Sequence, residues 1–329
     1  MNNRAWHLAS RPKALPTMDN FELRALPEAP LRDGEARVRN LWLSVDPYMR
    51  GRMNDAKSYA SPFALGEPMQ GGAVGRVVES RAEGLKEGDL VVHMLGWREE
   101  AVAPAKAFTK LPALPVAEQQ WLGNLGLTGA TAYFGLLDVA AAKAGETVFV
   151  SAAAGAVGSA VVQIAKAKGM TVIGSAGGAE KCAFVRGIGA DAAIDYKAAP
   201  VGRQLAAAAP EGIDVYFDNV GGDHLDAAFA AARLNARFAI CGMIEDYNSG
   251  SNHAFRHIMR IIAARIRIEG FLYFDFLDRI GDFHRDMAGW IASGAVTSRE
   301  TIHDGIEAAP AAFLDLFSGG NIGKMLVRL

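Results

Sequence analysis

The sequence has few cysteines and no long apolar run, and each absence excludes a class of protein. Only two cysteines, Cys182 and Cys241, occur among 329 residues. Neither a disulfide framework nor a four-cysteine zinc site within one chain can therefore organise the fold. No uninterrupted apolar stretch is long enough to span a bilayer, and the first residues carry no apolar signal segment. We expect a cytoplasmic protein without a membrane partner.

An excess of one charge sign is also missing. The formal net charge is −2, with 21% charged and 50% hydrophobic residues, which is an ordinary balance for a globular protein. Because there is no basic excess, we expect no nucleic-acid partner and no binding to anionic membranes. The length is sufficient for two domains with a sizeable core.

Neither the histidines nor the serines form a hydrolase or metalloprotease motif. His253 and His257 are four residues apart, but Ala254 stands where a metalloprotease helix needs glutamate. The favoured interpretation is two ordinary helix histidines. No G-x-S-x-G elbow follows a predicted strand, so a serine hydrolase lacks support.

The hydrophobic pattern changes along the chain and predicts two domains. Residues 1–122 are β-rich, with an alternating segment at Glu35–Val45 and further short predicted strands at Ala73–Glu79 and Asp89–Met94. From residue 123 short apolar strands alternate with segments of helical periodicity, for example Ser159–Lys168 and Leu225–Leu234. The predicted strands are Thr147–Ala152, Thr171–Ser175, Ala192–Tyr196, Asp214–Val220, Arg237–Gly242 and Arg267–Tyr273.

This alternation predicts an α/β fold with a parallel, doubly wound sheet over residues 123–294. Residues 295–329 return to mixed character and end in a predicted strand, Gly323–Leu329. We expect that strand to pair with the first domain. The doubly wound sheet would then be inserted into a discontinuous β-rich domain.

A glycine-rich turn between the first strand and helix of this region resembles the dinucleotide fingerprint. Ala153 replaces the first glycine, and Gly155 and Gly158 occupy the other two glycine positions. Gly155 would let the backbone approach a pyrophosphate, Gly158 would allow close packing of helix on strand, and the helix N-terminus would supply amide donors. Because further βα units follow, dinucleotide binding is favoured over packing alone.

The end of the second predicted strand bears on the choice between NAD and NADP. No acidic residue stands there to accept from a ribose 2′-hydroxyl, small residues leave room, and Lys181 can supply a cation for a 2′-phosphate. Glu180 is the counter-argument, although it is expected to face solvent. From the residues alone, Lys181 as a phosphate ligand and Lys181 as an ordinary surface lysine remain open alternatives.

Several segments together resemble one branch of the zinc-independent medium-chain dehydrogenases and reductases. They are Leu43–Met53, Gly126–Leu136, Ala154–Ser159, Asp218–Gly222 and Asn321–Lys324. The similarity is to the prostaglandin reductases, curcumin reductases and plant double-bond (alkenal) reductases, and it runs over nearly the whole chain. It implies a Rossmann-type domain inserted into a GroES-like domain, NADPH as cofactor and a homodimer.

The resemblance also implies a set of cofactor-binding residues. The pyrophosphate loop is assigned to Gly155, Ala156, Val157 and Gly158, the 2′-phosphate site to Lys181 and Tyr196, and the ribose contact to Asn219. The nicotinamide half is assigned to Cys241, Gly242, Met243 and Tyr247, and the pocket is completed by Phe271, Leu272, Tyr273 and Asn321. Where relatives often have Ser-Asp before the lysine, this chain has Gly178-Ala179. One polar contact to the phosphate is then lost, and the preference for NADPH would weaken.

The implied reaction is hydride transfer to the β-carbon of an α,β-unsaturated ketone or aldehyde without a metal. Zinc-dependent relatives have histidine after glycine where this chain has Gly66, Glu67, Pro68 and Met69. An enolate would instead be stabilised by hydroxyl donors. Tyr247 and Tyr48 are the predicted catalytic residues, and Tyr59, Arg50 and Met243 are the predicted substrate contacts. For each tyrosine, amphipathic packing is the competing interpretation.

Two rival functions stay open. An NADPH:quinone reductase shares the fold and the cofactor, and the Ser44–Arg52 segment argues against it. A non-catalytic NADPH-binding or sensor protein would bind the cofactor and oxidise none with any enone. The sequence does not identify the substrate, because loops shape the pocket.

Overall fold

The computed structural model describes residues 3–245, 247 and 253–329. The described residues divide into two compact units. Unit 1 comprises residues up to Leu122, Glu300–Asn321 and Met325–Leu329, and unit 2 comprises Gly123–Arg299 and Ile322–Lys324. The sequence placed the second boundary at 294/295, whereas unit 2 continues through Arg299 in the structure.

Unit 1 is a β structure whose last strand comes from the far end of the chain. Its strands are β1 (Arg4–Leu8), β2 (Phe21–Ala25), β3 (Glu35–Ser44), β4 (Ala73–Ser80), β5 (Leu90–His93), β6 (Glu100–Pro104), β7 (Thr109–Lys110), β14 (Glu300–Asp304) and β15 (Lys324–Arg328). Its helices are α1 (Met49–Arg52) and α9 (Ala309–Ser318). β1 and β2 form an antiparallel pair, and the larger sheet has the order β14-β15-β3-β4-β5-β7, with β6 also pairing with β3.

The C-terminal strand joins the long strand β3 in an antiparallel register. Leu326 lies opposite Ser44 and Arg328 lies opposite Trp42. Beneath these strands a buried apolar cluster includes Trp6, Trp97 and Phe313. The Trp6 indole N–H donates to the Ile306 carbonyl at 2.7 Å, so the core joins residues 300 positions apart.

Unit 2 is a doubly wound parallel sheet. Its strands are β8 (Thr147–Val150), β9 (Thr171–Ala176), β10 (Ala192–Asp195), β11 (Ile213–Asp218), β12 (Ala232–Ile240) and β13 (Arg267–Gly270). Its helices are α2 (Leu127–Phe134), α3 (Ala156–Ala167), α4 (Ala179–Gly187), α5 (Val201–Ala208), α6 (Gly222–Ala231), α7 (Arg260–Ala264) and α8 (Ile280–Ala292). The strand order β10-β9-β8-β11-β12-β13 is that of a Rossmann fold and confirms the predicted fold class.

Several predicted element boundaries were wrong. The strand predicted over Arg237–Gly242 begins at Ala232 and ends at Ile240, and the strand predicted over Asp214–Val220 ends at Asp218. The helix predicted over Leu225–Leu234 ends at Ala231, because Ala232 already pairs with Ile213 in the sheet. The strand predicted to reach Tyr273 ends at Gly270, and a 3₁₀ segment begins at Tyr273.

Among the described residues, no helix is both long and apolar enough to cross a membrane. The cytoplasmic location stays a prediction from the sequence.

Candidate active site

The glycine-rich turn lies at the carboxyl end of β8 and leads directly into α3. Gly155 precedes the helix and, having no side chain, cannot cap it. The amides of the first helical turn are therefore oriented for an anionic ligand, which the helix dipole also favours. Ala152 in the turn has φ +47, a left-handed conformation that is uncommon for a residue with a Cβ.

The two glycines of this turn are needed for different reasons. A Cβ on Gly158 would lie 2.3 Å from the Ala152 carbonyl oxygen and 2.8 Å from Ala153 Cα, so only glycine allows the helix to pack against the turn. A Cβ on Gly155 would lie 3.2 Å from the same oxygen and within 4 Å of no other described atom. Gly155 thus leaves space beside the helix N-terminus, where a pyrophosphate would approach.

Residues near the end of the chain support this turn. The Gly323 N–H donates to the Ala154 carbonyl at 2.7 Å. Gly323 has φ +72, and a Cβ there would lie 1.9 Å from the Arg299 carbonyl oxygen, so no other residue fits. Asn321 is grouped with unit 1, and its cofactor contact stays a prediction.

The predicted 2′-phosphate residues follow two neighbouring parallel strands. Asp195 at the end of β10 lies opposite Ala176 at the end of β9. Lys181 lies in the first turn of α4, which begins after Gly178. Tyr196 follows Asp195, and its hydroxyl would lie 2.6 Å from a Cβ on Gly177. The fold therefore places Tyr196 over the turn that leads to the helix carrying Lys181.

A buried carboxylate at the end of β11 joins the loops that follow two strands. Asp218 Oδ1 accepts hydrogen bonds from the Tyr216 hydroxyl at 2.6 Å, the Ser151 hydroxyl at 3.1 Å, and the Val220 and Gly221 amides at 2.9 Å. Burial raises the pKa of Asp218, and the amide donors act in the opposite direction. Such a concentration of donors on one oxygen is what a carboxylate in the interior requires.

The same network fixes Asn219, the predicted ribose contact. The Asn219 amide N–H donates to Ser151 Oγ at 2.8 Å, and its side-chain nitrogen donates to the Ser151 carbonyl at 2.8 Å. The Cys241 and Gly242 amides donate to the Asp218 carbonyl at 2.8 and 3.1 Å. The loops after β8, β11 and β12 are thus tied together at the carboxyl edge of the sheet, where ligands bind in folds of this kind.

The predicted nicotinamide strip, the segment 241–247 that is predicted to cover the nicotinamide half of the cofactor, contains one of the two predicted catalytic tyrosines. A Cβ on Gly242 would lie 3.0 Å from the Tyr247 hydroxyl, so the hydroxyl lies against the Gly242 backbone. Cys241 is half-buried, and burial of its thiol raises the pKa of that group to about 12. The thiol therefore stays protonated and unreactive at neutral pH. Asp246, within the same predicted strip, lies outside the described residues.

The remaining predicted cofactor residues of unit 2 lie near the same end of the sheet. The Phe271 ring packs edge-on against Phe217 with centroids 6.1 Å apart. Leu272 and Tyr273 follow at the start of a 3₁₀ segment, and burial raises the pKa of Tyr273. Met243 packs against the apolar core of unit 2. Their contacts with a cofactor or substrate stay predictions.

In unit 1, Tyr48 immediately precedes α1 and packs against the apolar cluster. Its hydroxyl lies beside the guanidinium of Arg52, four residues on, and that pairing partly offsets the effect of burial, which lowers the pKa of Arg52. Arg52 donates to the Ser61 carbonyl at 2.8 Å and to Gln70 at 3.0 Å. Its guanidinium also lies 4.1 Å from the centroid of the Phe63 ring.

The two predicted substrate contacts of unit 1 differ in exposure. Tyr59 is 59% exposed, whereas Arg50 is only 3% exposed. The Arg50 guanidinium donates to Asn54 at 2.7 Å and to the Ala14 carbonyl at 2.8 Å. These bonds indicate a structural role for Arg50. Its contact with a substrate stays an untested prediction, and Arg52 is the arginine that the structure places beside Tyr48.

The chain is similar to known proteins over nearly its whole length. A family model described as the N-terminal domain of oxidoreductase matches residues 4–111, and one described as zinc-binding dehydrogenase matches residues 156–293. The NADPH-dependent curcumin reductase of Escherichia coli is 41% identical, with 99% of this chain and 97% of that protein covered. Prostaglandin reductase 1 of Rattus norvegicus is 40% identical, with 99% and 98% covered. The chain belongs to the medium-chain dehydrogenase/reductase family.

A solved structure agrees with this assignment. CurA from Vibrio vulnificus in complex with NADPH superposes with a TM-score of 0.94 at 43% identity, covering 99% of this chain and 98% of that one. The predicted relationship to the curcumin and prostaglandin reductases, within the zinc-independent branch of the family, is therefore confirmed.

In this member of the medium-chain family the candidate metal ligands of the described residues do not converge. Within the described ranges, no group of three or more His, Cys, Asp or Glu side chains could hold a metal ion. His257 pairs with Asp226 at 2.9 Å and His253 with Asp223 at 3.6 Å, so the two histidines have separate partners. The description of one matching model as a zinc-binding dehydrogenase thus names a family wider than this branch.

Sequence reasoning missed three residues that organise the reductase's candidate site: Ser151, Asp195 and Asp218. Each stands at or just after the end of a parallel strand, the position where polar side chains reach a ligand edge. That placement was the available signal. Hydrogen bonds between the loops, however, cannot be inferred from one sequence.

Proposed function

We propose that this protein reduces the C=C bond of α,β-unsaturated ketones and aldehydes. It is an oxidoreductase of the medium-chain family, and NADPH is its cofactor. The main support is the full-length similarity to a protein named NADPH-dependent curcumin reductase. The position of the Tyr247 hydroxyl, against the Gly242 backbone after β12, adds a donor on the predicted nicotinamide strip.

When bound, NADPH supplies the hydride that adds to the β-carbon of the enone, and its ribose hydroxyls add hydrogen-bond donors. The π pair of the C=C bond would then form a double bond between the α-carbon and the carbonyl carbon, and the carbonyl π pair would move onto the oxygen to give an enolate. We assign Tyr247 and Tyr48 as donors to that oxygen, since no metal ligand set is available among the described residues. A proton from a tyrosine hydroxyl or from water then reaches the α-carbon and gives the saturated carbonyl compound.

The unit 2 residues hold the cofactor in this proposal. The α3 N-terminus and Gly155 bind the pyrophosphate, and Asn219, fixed by Ser151, binds the ribose side. Lys181 and Tyr196 contact the 2′-phosphate. Tyr59, Arg50 and Met243 are retained as proposed substrate contacts, of which Tyr59 is the most exposed.

The deciding experiment follows the loss of reduced-nicotinamide absorbance with purified protein. The acceptors are an aliphatic enone, an aryl enone and a quinone, each tested with NADPH and NADH and with or without a chelator. We expect enone-dependent oxidation of NADPH, a saturated ketone as product and no effect of the chelator. Turnover with quinone alone would assign the protein to the quinone reductases. NADPH binding without oxidation by any acceptor would indicate a binding protein.

The tyrosine assignment has its own test. Tyr247→Phe should lower kcat by roughly 10- to 100-fold with little change in the KM for NADPH, because one oxyanion donor is lost while others remain. Tyr133→Phe is a matched control, since that hydroxyl bonds to Asp286 at 2.8 Å within the helical layer. Equal losses in the two variants would contradict a catalytic role for Tyr247.

We also propose that the protein forms a homodimer through β13, an edge strand of the unit 2 sheet. All four residues of β13 are exposed, and exposed apolar side chains lie on the neighbouring segments: Ile258, Met259, Ile262, Phe274 and Leu277. An open edge beside an apolar surface is usually covered by a partner. Antiparallel pairing of two copies about Ile268 would place Arg267 opposite Glu269 in both directions.

Light scattering coupled to size exclusion tests the dimer. The unmodified protein should have twice the monomer mass. Ile268→Lys should reduce that mass to the monomer value, because two lysines would then meet at the two-fold axis. A monomeric unmodified protein would refute the proposal.

A further inference from the structure

We propose that the Asp195 carboxylate sets how strongly this reductase prefers NADPH to NADH, by holding a fixed negative charge in the 2′-phosphate site. This inference rests on the proposed NADPH function. It differs from the predicted roles of Lys181 and Tyr196, because Asp195 opposes the phosphate where they attract it.

The position of the carboxylate follows from the sheet. β9 and β10 are parallel neighbours and end at the same edge, with Asp195 opposite Ala176. The turn after β9 therefore lies against the residues that follow β10. Asp195 Oδ1 accepts the Gly178 N–H at 2.9 Å and the Lys197 N–H at 3.0 Å.

The same turn contacts the two side chains that follow Asp195. A Cβ on Gly177 would lie 2.6 Å from the Tyr196 hydroxyl and 3.0 Å from Lys197 Cε. The hydroxyl assigned to the phosphate and the Asp195 carboxylate are thus anchored to adjacent residues of one turn. Gly178 has φ +99, and this conformation, which only glycine adopts readily, points its amide at Asp195.

Two consequences follow for a bound dinucleotide. The Gly178 and Lys197 amides already donate hydrogen bonds to the Asp195 carboxylate, so neither is available to a phosphate oxygen. These backbone hydrogen bonds, that from Gly178 first, lower the pKa of Asp195, so the carboxylate is ionised at neutral pH. A 2′-phosphate must enter next to this charge, whereas the 2′-hydroxyl of NADH carries no charge and could donate to the carboxylate.

Asp195→Asn tests the inference, because the amide oxygen can still accept from Gly178 while the charge is removed. We would measure the Kd of NADP⁺ and of NAD⁺ by titration calorimetry, without substrate, at low salt. The NADP⁺ affinity should rise about 5-fold, as expected for one partly exposed charge, with the NAD⁺ affinity unchanged or weaker. The gain in NADP⁺ affinity should shrink at high salt, where the charge of a partly exposed carboxylate is screened.

Glu180→Gln is the matched control. Glu180 lies in the first turn of α4 and is exposed, so its substitution removes one negative charge from the helix that carries Lys181 without disturbing the bond between Gly178 and Asp195. Asp195→Ser gives a second variant with a short oxygen acceptor if Asp195→Asn does not fold. It is judged by the same comparison, the ratio of its NADP⁺ affinity to its NAD⁺ affinity.

Several results would overturn the assignment. Equal changes for NADP⁺ and NAD⁺ would mean that Asp195 is only structural, and an equal gain in Glu180→Gln would mean a general charge effect. Weaker NADP⁺ binding in Asp195→Asn would mean that the carboxylate assists the phosphate site. If the unmodified protein bound neither dinucleotide, the proposed function itself would fail. Tight NADP⁺ binding with an unchanged ratio would refute only the role of Asp195.

Discussion

Alanine should have different effects at Gly158 and Gly155: at Gly158 it should mainly lower stability, and at Gly155 it should mainly weaken NADPH binding. In Gly158→Ala the new methyl group would lie 2.3 Å from the Ala152 carbonyl oxygen and 2.8 Å from Ala153 Cα. An ordinary contact needs more than an ångström of additional separation from that oxygen. Backbone atoms on both sides must move, because no flexible side chain can yield.

In Gly155→Ala the nearest atom is the same oxygen at 3.2 Å. A shift of a few tenths of an ångström relieves that contact. We therefore expect Gly158→Ala to cost about 1–3 kcal/mol of unfolding free energy, the usual range for overpacking, and Gly155→Ala to cost well under 1 kcal/mol. Each kcal/mol corresponds to a fall in Tm of roughly 2–4 °C for a domain of this size.

Cofactor affinity should follow the reverse order. The Gly155 methyl group would point into the space beside the α3 N-terminus, where the pyrophosphate approaches. We expect it to raise the Kd for NADPH about 10-fold or more, which corresponds to ~1.4 kcal/mol. Gly158→Ala should change the Kd less at temperatures where it stays folded.

The assay pairs thermal unfolding without ligand with a fluorescence titration by NADPH at 15 °C. Gly51→Ala is a suitable control, because a Cβ there meets no described atom within 4 Å. An equal loss of stability in Gly155→Ala and Gly158→Ala, with the NADPH affinity of Gly155→Ala unchanged, would refute the separate roles assigned to these two glycines.

Three further predictions concern phosphate recognition, catalysis and acid stability. Lys181→Ala should raise the KM for NADPH about 10-fold and leave the KM for NADH nearly unchanged, since it removes one charge-assisted bond to the 2′-phosphate. Parallel steady-state titrations with the two cofactors check this, and equal changes in the two KM values would contradict it. Tyr48→Phe should lower kcat about 10-fold at unchanged NADPH affinity, with initial rates and binding titrations as the measurements; a change confined to NADPH binding would contradict its role at the substrate. Burial lowers the pKa of His93 to about 3 and that of His224 to about 4. The unfolded chain therefore takes up protons between about pH 6.5 and 4 that the folded chain does not. The free energy of unfolding should fall as pH falls through that window, by roughly 3 kcal/mol per histidine at its lower end. His224→Gln should flatten the dependence of Tm on pH between 7 and 5, and an unchanged slope would show that other groups cause the loss.

Much of unit 2 could be predicted because its signals are local. Apolar strands such as Thr147–Val150 are buried on both faces and so read as continuous apolar runs. The Gly155 and Gly158 spacing identifies the turn that connects the first strand and helix, and the two structural reasons for these glycines agree with the predicted ones. Boundaries failed where pairing decides the end of an element, as at Ala232, which joins β12 through Ile213.

The candidate site was predictable only as a set of positions. The resemblance named Asn219 and Tyr247, but it did not reveal that Ser151 holds Asn219 or that Gly242 lies under the Tyr247 hydroxyl. Contacts of this kind join residues far apart in sequence, and their partners depend on strand order. For the same reason the sequence did not show that Arg50 is buried with Asn54 and the Ala14 carbonyl as its acceptors, or that Arg52 lies beside Tyr48.

The discontinuity of unit 1 has a consequence for the order in which the chain folds during synthesis. Its core and its main sheet need β15, which pairs with β3 across some 280 residues, and the Trp6 indole needs the Ile306 carbonyl. All six strands of the parallel sheet are translated before these partners exist. The second unit to be translated can therefore complete its core first. Unit 1 stays incomplete until then, with Leu43, Trp97 and Met49 uncovered. We therefore expect a chaperone to bind the early, N-terminal part of the nascent chain.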